Sequence, residues 1–99
     1  MDGVSTFPWL PTHVDATLLV KTGAGSLHSI VVNGLTTAGD ATLYDGIDNT
    51  GVVLAVLHLD LTTSISVQPI TFLYDMEIET GIYIEYDQAL AADLTVTHH

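Results

Sequence analysis

Five histidines are the side chains of this sequence best suited to chemistry near neutral pH, and they stand at positions 13, 28, 58, 98 and 99. His58 and Asp60 are two residues apart, which on a strand places an imidazole and a carboxylate on the same face. That spacing is common on strands, so it does not by itself indicate a base or a ligand pair. His98 and His99 are interpreted as an exposed chain end. We therefore expect no enzymatic activity and no catalytic residue.

Hard oxygen ligands are concentrated in one turn-rich stretch, in which Asp40, Asp45 and Asp48 precede Asn49. Carboxylate and amide oxygens are the ligands that Ca²⁺ prefers in proteins. The spacing differs from that of an EF-hand, and Asp and Asn also stabilise bends in solvated loops. The three aspartates are thus a candidate calcium site, with a solvated turn as the alternative. We expect no cofactor.

The charge balance indicates the kind of partner. Twelve acidic residues face a single basic one, Lys21, and the net charge is −11. Nucleic acids and anionic membranes are bound through Lys and Arg, so we expect neither as a partner. Asp75, Glu77 and Glu79 alternate with apolar residues. This pattern predicts an acidic strand face, which either docks a basic partner or forms a solvated sheet edge.

The first 13 residues differ in character from the rest of the chain. Prolines at positions 8 and 11 favour an extended arm. Phe7, Trp9 and Leu10 are its candidate contact residues, because large apolar side chains on a free arm would be costly in water. We expect the arm to lie against another protein chain, with Trp9 as its anchor. Folding back over an edge of its own sheet is the alternative.

Composition determines the class of element that must position these residues. Thr, Val and Ile supply 31 of the 99 residues, and these types favour strands. Turn signals recur about every 8–12 residues, as in sandwiches and barrels. We predict a single all-β domain over residues 1–99, an antiparallel β-sandwich of jelly-roll or Greek-key type with about eight strands. The chain has no cysteine, so disulfide scaffolds and thiolate sites are excluded.

The periodicity also predicts where the strands lie. They are expected at residues 14–21, 26–33, 41–44, 52–61, 63–67, 70–79, 82–87 and 94–99. Asn33-Gly34 predicts a turn that ends the second strand. The nearly unbroken apolar run at 52–61 predicts a central strand covered on both faces.

The connection at residues 79–81 has two interpretations. A three-residue hairpin loop would place Asp75 opposite Glu85, and these like charges repel. An arch between two stacked sheets avoids that pairing and is the favoured interpretation.

Four segments in a fixed order resemble a group of short virion proteins of tailed bacteriophages. They are a Gly-x-Leu segment before an Ile/Val-Asn strand (residues 21–33), a Leu-Tyr-Asp turn (41–46), a Thr-Gly step (80–84) and a closing Asp-Leu-Thr-Val strand (92–97). The resemblance implies a non-catalytic, often oligomeric domain on the virion that decorates or cements the capsid. Its implied partners are the major capsid protein or another virion protein, and further copies of itself.

Two alternatives to capsid decoration remain open. A neck or tail accessory protein of the virion would carry the same motifs. A carbohydrate-binding β-sandwich module would need two or three coplanar exposed aromatic side chains. For the oligomer we expect a trimer, because a 99-residue chain has a modest core and virion domains of this kind commonly cluster at three-fold sites.

Overall fold

Alternating apolar and polar side chains form eight strands in the computed structural model, which describes residues 9–59 and 70–99. The strands are β1 (Leu10–Val14), β2 (Leu18–Thr22), β3 (Gly25–Thr37), β4 (Gly39–Asp45), β5 (Val52–Leu59), β6 (Ile70–Ile78), β7 (Gly81–Tyr86) and β8 (Ala91–His98). The strand predicted at 63–67 lies outside the described residues. Within the described ranges, no helix is long and apolar enough to cross a membrane.

The strands form two antiparallel sheets of four. Sheet A has the order β1-β8-β3-β6, and sheet B has the order β2-β7-β4-β5. The inward side chains of both sheets make one core, whose largest fully buried members are Leu27, Ile30, Leu43, Ile78, Ile82, Ile84 and Leu94. The prediction of an all-β fold with antiparallel sheets is thus confirmed, and the arrangement is consistent with a β-sandwich.

The connection between β6 and β7 is the predicted arch. β6 pairs with β3 in sheet A, whereas β7 pairs with β2 and β4 in sheet B. The Asp45 carboxylate fastens the arch by accepting hydrogen bonds from the backbone N–H groups of Glu79, Thr80 and Gly81, at 3.0, 2.8 and 3.2 Å. These bonds hold the pKa of Asp45 below its ordinary value.

The predicted strand at 14–21 is wrong, because the chain changes sheets in its middle. Val14 lies opposite Leu94 in sheet A, and Leu18 lies opposite Ile84 in sheet B. Residues 15–17, which join them, are exposed. An alternating pattern is equally compatible with one long strand and with two short strands in facing sheets, so the periodicity alone does not reveal the crossing.

The described part of the arm folds back on its own sheet, which is the second of the two alternatives. Residues 10–14 form β1 and pair with β8 along the edge of sheet A. Pro11, which has no N–H to donate, is accommodated there because an edge strand leaves one side of its backbone unpaired. Phe7 lies outside the described residues.

Two further predictions on the strands are corrected. β3 does not end at Asn33-Gly34 but continues to Thr37, and a register shift between Val32 and Gly34 accommodates Asn33 as a bulge while Gly34 pairs with Asp93. β5 is not a central strand, since it is the last strand of sheet B in the described part of the chain. Its outward Val53 is 53% exposed, so the apolar run does not reflect burial on both faces.

Candidate functional site

Trp9, His28 and Asp75 meet on the outer face of sheet A, although they are far apart in sequence. The indole of Trp9 stacks on the His28 imidazole with ring centroids 4.2 Å apart and planes within 5°. The Nδ1 atom of that imidazole is hydrogen-bonded to the Asp75 carboxylate. Asp75 adopts a positive φ of 47°, unusual for a residue other than glycine, within a stretch of β6 where the register with β3 shifts. Two residues predicted for partner binding are therefore joined through His28, which the sequence marked as one of five histidines but did not place beside them.

We expect the His28→Ala variant to loosen the N-terminal segment. Loss of the ring stack and of the bond to Asp75 should lower the free energy of unfolding by about 1 kcal/mol. Because Trp9 is the only tryptophan, its emission should also shift to longer wavelength as the indole becomes more exposed. His13→Ala is the matched control, since His13 bonds Asp93 at 2.5 Å and makes no stack with Trp9. Equal emission spectra for both variants would contradict this role of His28.

The other predicted partner-binding residues do not join this cluster as a unit. Leu10 begins β1 opposite His98 and is exposed. Glu77 is exposed on β6, and Glu79 lies beyond the end of that strand, where its backbone N–H bonds Asp45. Within the described residues β6 is the last strand of sheet A, so Asp75 and Glu77 are exposed at its edge, and His28 engages the Asp75 carboxylate.

The three candidate calcium ligands bind separate protein groups. Asp40 bonds the His58 imidazole at 2.9 Å, and Asp45 fastens the arch. Asp48 accepts hydrogen bonds from the backbone and hydroxyl of Thr50, which lower its pKa. Across residues 9–59 and 70–99, no group of three or more His, Cys, Asp or Glu side chains is placed to hold a metal ion. In this structure the three aspartates stabilise turns and strand ends through these hydrogen bonds.

The histidines pair with carboxylates from neighbouring strands. His13 bonds Asp93 across β1 and β8, and His58 bonds Asp40 across β5 and β4. The sequence suggested Asp60 for His58, but Asp60 lies outside the described residues. Both pairs are created by strand pairing and not by sequence spacing, so the local sequence pattern does not predict them.

His98 is a buried residue of β8, which corrects its interpretation as an exposed chain end. Its Nε2 atom lies 2.8 Å from the Thr12 hydroxyl, and within the described residues its Nδ1 atom is buried with no hydrogen-bond partner. Burial, reinforced by Lys21 and His99, lowers the pKa of His98 below its ordinary value of 6.5. The folded state therefore resists protonation of this imidazole more than the unfolded chain does.

This shift has a consequence for stability as the pH falls. Below about pH 6.5 the unfolded chain binds a proton at His98 that the folded chain resists, so acidification favours unfolding. In thermal unfolding at pH 8 and pH 5, we expect His98→Gln, which cannot titrate, to lose less stability on acidification than the wild type. Parallel losses in the two proteins would show that His98 does not contribute.

The outer face of sheet B carries a row of apolar and aromatic side chains, one from each strand. Leu19, Tyr83, Tyr44 and Val53 are neighbours in register across β2, β7, β4 and β5. The two tyrosine rings lie 6.3 Å apart and are tilted by 45°. Leu19 is 38% exposed, and Val56 beside the row is also exposed. The sequence analysis missed this row because its members become neighbours only through strand order.

Acidic groups border this row. The Tyr44 hydroxyl donates to Glu85 at 3.4 Å, and partial burial together with Glu85 raises the pKa of Tyr44. Next to Glu85 lies a depression of about 410 Å³, which is lined by Asp40, Thr42, Glu85, Tyr86, Asp87 and Gln88. The face thus combines aromatic rings with carboxylates, a combination suited to contact with another protein.

Comparison with protein-family models, with curated proteins and with solved structures gives no match to this chain.

Proposed function

We propose that this chain is a non-catalytic structural protein of a phage virion, and that it decorates or cements the capsid surface. The resemblance to short tailed-phage virion proteins supports this proposal. Its motif segments fall mainly in β3, β4, β7 and β8, which are the strands that build the middle of both sheets. The implied partner is the major capsid protein, and the implied location is the virion.

The observation that carries the proposal is the outer face of sheet B. It presents apolar and aromatic side chains in one row across four strands, on a chain with only 13% charged residues. Contiguous exposed apolar surface on a small domain marks interaction sites, and aromatic residues are enriched in the cores of protein interfaces. A binding domain that works through a surface fits this better than an enzyme working through a cleft.

Binding to capsids tests this function. Capsids of the encoding phage are prepared without this protein. The purified protein is then mixed with them, and the capsids are sedimented. We expect saturable binding, with a fixed number of copies per capsid. If the protein stays in the supernatant at micromolar concentration, capsid decoration is ruled out, and binding to isolated necks or tails would support the alternative virion location.

A carbohydrate-binding module is the second class to test. The 45° tilt between Tyr44 and Tyr83 differs from the coplanar platform that stacks on sugar rings, and Trp9 already stacks on His28. We expect no micromolar binding on a glycan array. Such binding, if lost on Tyr83→Ala, would replace the virion proposal.

A trimer is the proposed oligomer of this protein. A 99-residue chain has a modest core, and assembly would cover exposed apolar residues such as Val52 and Leu73. Sedimentation equilibrium at micromolar concentration should give three times the 10.6 kDa chain mass. A single 10.6 kDa species at every concentration would contradict it.

A further inference from the structure

We infer that the outer face of sheet B docks a segment of the partner protein that presents an arginine side chain. The inference rests on the proposed function for the identity of the partner as a capsid protein. Its chemistry follows from the face alone.

The apolar part of the face sets the contact area. Leu19, Tyr83, Tyr44 and Val53 run continuously from one edge of sheet B to the other. Val56 widens the row at β5. An extended segment laid across the strands would cover this row, and the loss of exposed apolar surface would favour binding.

The acidic side chains next to the row indicate that the docked segment carries a positive charge. Within the described residues, Glu85 makes two long hydrogen bonds, 3.4 Å from the Tyr44 hydroxyl and 3.3 Å from the Asn49 side-chain nitrogen. Asp87 and Asp40 line the adjoining depression and add to the negative potential there. A cation placed beside Glu85 would therefore gain a carboxylate partner that no charged side chain of residues 9–59 and 70–99 occupies.

A second copy of this chain is a poor source of that cation. Lys21 is its only Lys or Arg, and the Lys21 ammonium bonds the carbonyls of Thr22, Gly23 and Ala24 in its own turn. Charge complementarity therefore points to a different, locally basic protein.

Arginine fits this face better than lysine. Its planar guanidinium binds a carboxylate through two parallel hydrogen bonds and stacks on aromatic rings. Glu85 supplies the carboxylate, and Tyr44 and Tyr83 supply rings on the same face. The ammonium group of lysine also attracts a carboxylate and a ring face, but as a point charge, without the planar fork that binds both carboxylate oxygens and lies flat on a ring.

The first test uses small probes and does not depend on the virion. The full chain, labelled with ¹⁵N, is titrated with N-acetyl-arginine amide and, separately, with N-acetyl-lysine amide. We expect arginine to shift the backbone amide signals of Tyr44, Tyr83 and Glu85 more than lysine does, and Glu85→Gln to abolish the difference. Shifts that are confined to β6, or equal for the two probes, would overturn the inference.

The second test compares two matched charge reversals in capsid binding. Glu85→Lys alters sheet B, whereas Glu77→Lys makes the same change in net charge on the exposed β6 edge of sheet A. We expect at least a tenfold loss of affinity for Glu85→Lys and less than a twofold change for Glu77→Lys. Equal losses, or a loss for Glu77→Lys alone, would overturn the inference. If the wild type binds no capsid, the proposed function fails. The arginine titration still tests whether the outer face of sheet B prefers arginine to lysine.

Discussion

Replacing Gly81 with alanine is expected to lower the free energy of unfolding by about 3 kcal/mol, at the upper end for overpacking. A Cβ at this position would lie 2.7 Å from the carbonyl oxygen of Lys21 and 2.9 Å from that of Gly46. Both contacts are with backbone, so no side-chain rotation relieves them. The arch cannot easily move away from these carbonyls either, because three of its backbone N–H groups are hydrogen-bonded to the Asp45 carboxylate.

Thermal unfolding measures this effect. A loss of about 3 kcal/mol corresponds to a drop in Tm of roughly 12–24 °C for a domain of this size. Gly34→Ala is the control, since a Cβ there meets no atom within 4 Å. It should change stability by less than about 1 kcal/mol. Equal Tm values for the two variants would mean that the arch does not need the close approach seen at Gly81.

Replacing Ile30 with alanine is expected to cost about 4 kcal/mol. The Ile30 side chain is fully buried on β3, the longest strand, between Val96 of β8 and Phe72 of β6. Truncation removes buried methyl and methylene groups and leaves a cavity that two neighbouring strands prevent from closing. An effect of this size is a large fraction of the stability of a small domain.

Urea denaturation provides the measurement for Ile30. Val31→Ala is the control on the neighbouring position, where the side chain is only half-buried and pairs with Thr71 and Thr95. It should cost about 1 kcal/mol or less. If both variants shift the urea midpoint equally, Ile30 does not occupy the central place in the core that its burial indicates.

Features set by local pattern were predictable from the sequence. The β-branched composition predicted the all-β class, and the repulsion between Asp75 and Glu85 favoured the arch over a hairpin. The arch places those two residues in different sheets. The connection at residues 79–81 was predicted from the sequence, but only the structure shows that two neighbouring carbonyl oxygens leave no room for a Cβ at Gly81.

Features set by strand order were not predictable in the same way. The apolar run of β5 indicated a central strand, yet β5 is the last described strand of sheet B, because a run of valines does not say which neighbours flank it. Residues 14–21 alternate regularly, but a change of sheet preserves alternation. The Trp9–His28–Asp75 cluster and the Tyr44–Tyr83 row both join residues from strands distant in sequence. Candidate residues could be named from their residue types, but the residues that they contact could be identified only once the strand order was known.

Electron cryomicroscopy of the purified virion tests the central claim most directly. We expect density on the outer capsid surface that fits this two-sheet domain, at a regular lattice position and with the outer face of sheet B against the capsid protein. A reconstruction at side-chain resolution in which no such density is present on the capsid, in virions shown by mass spectrometry to lack this chain, would contradict the account.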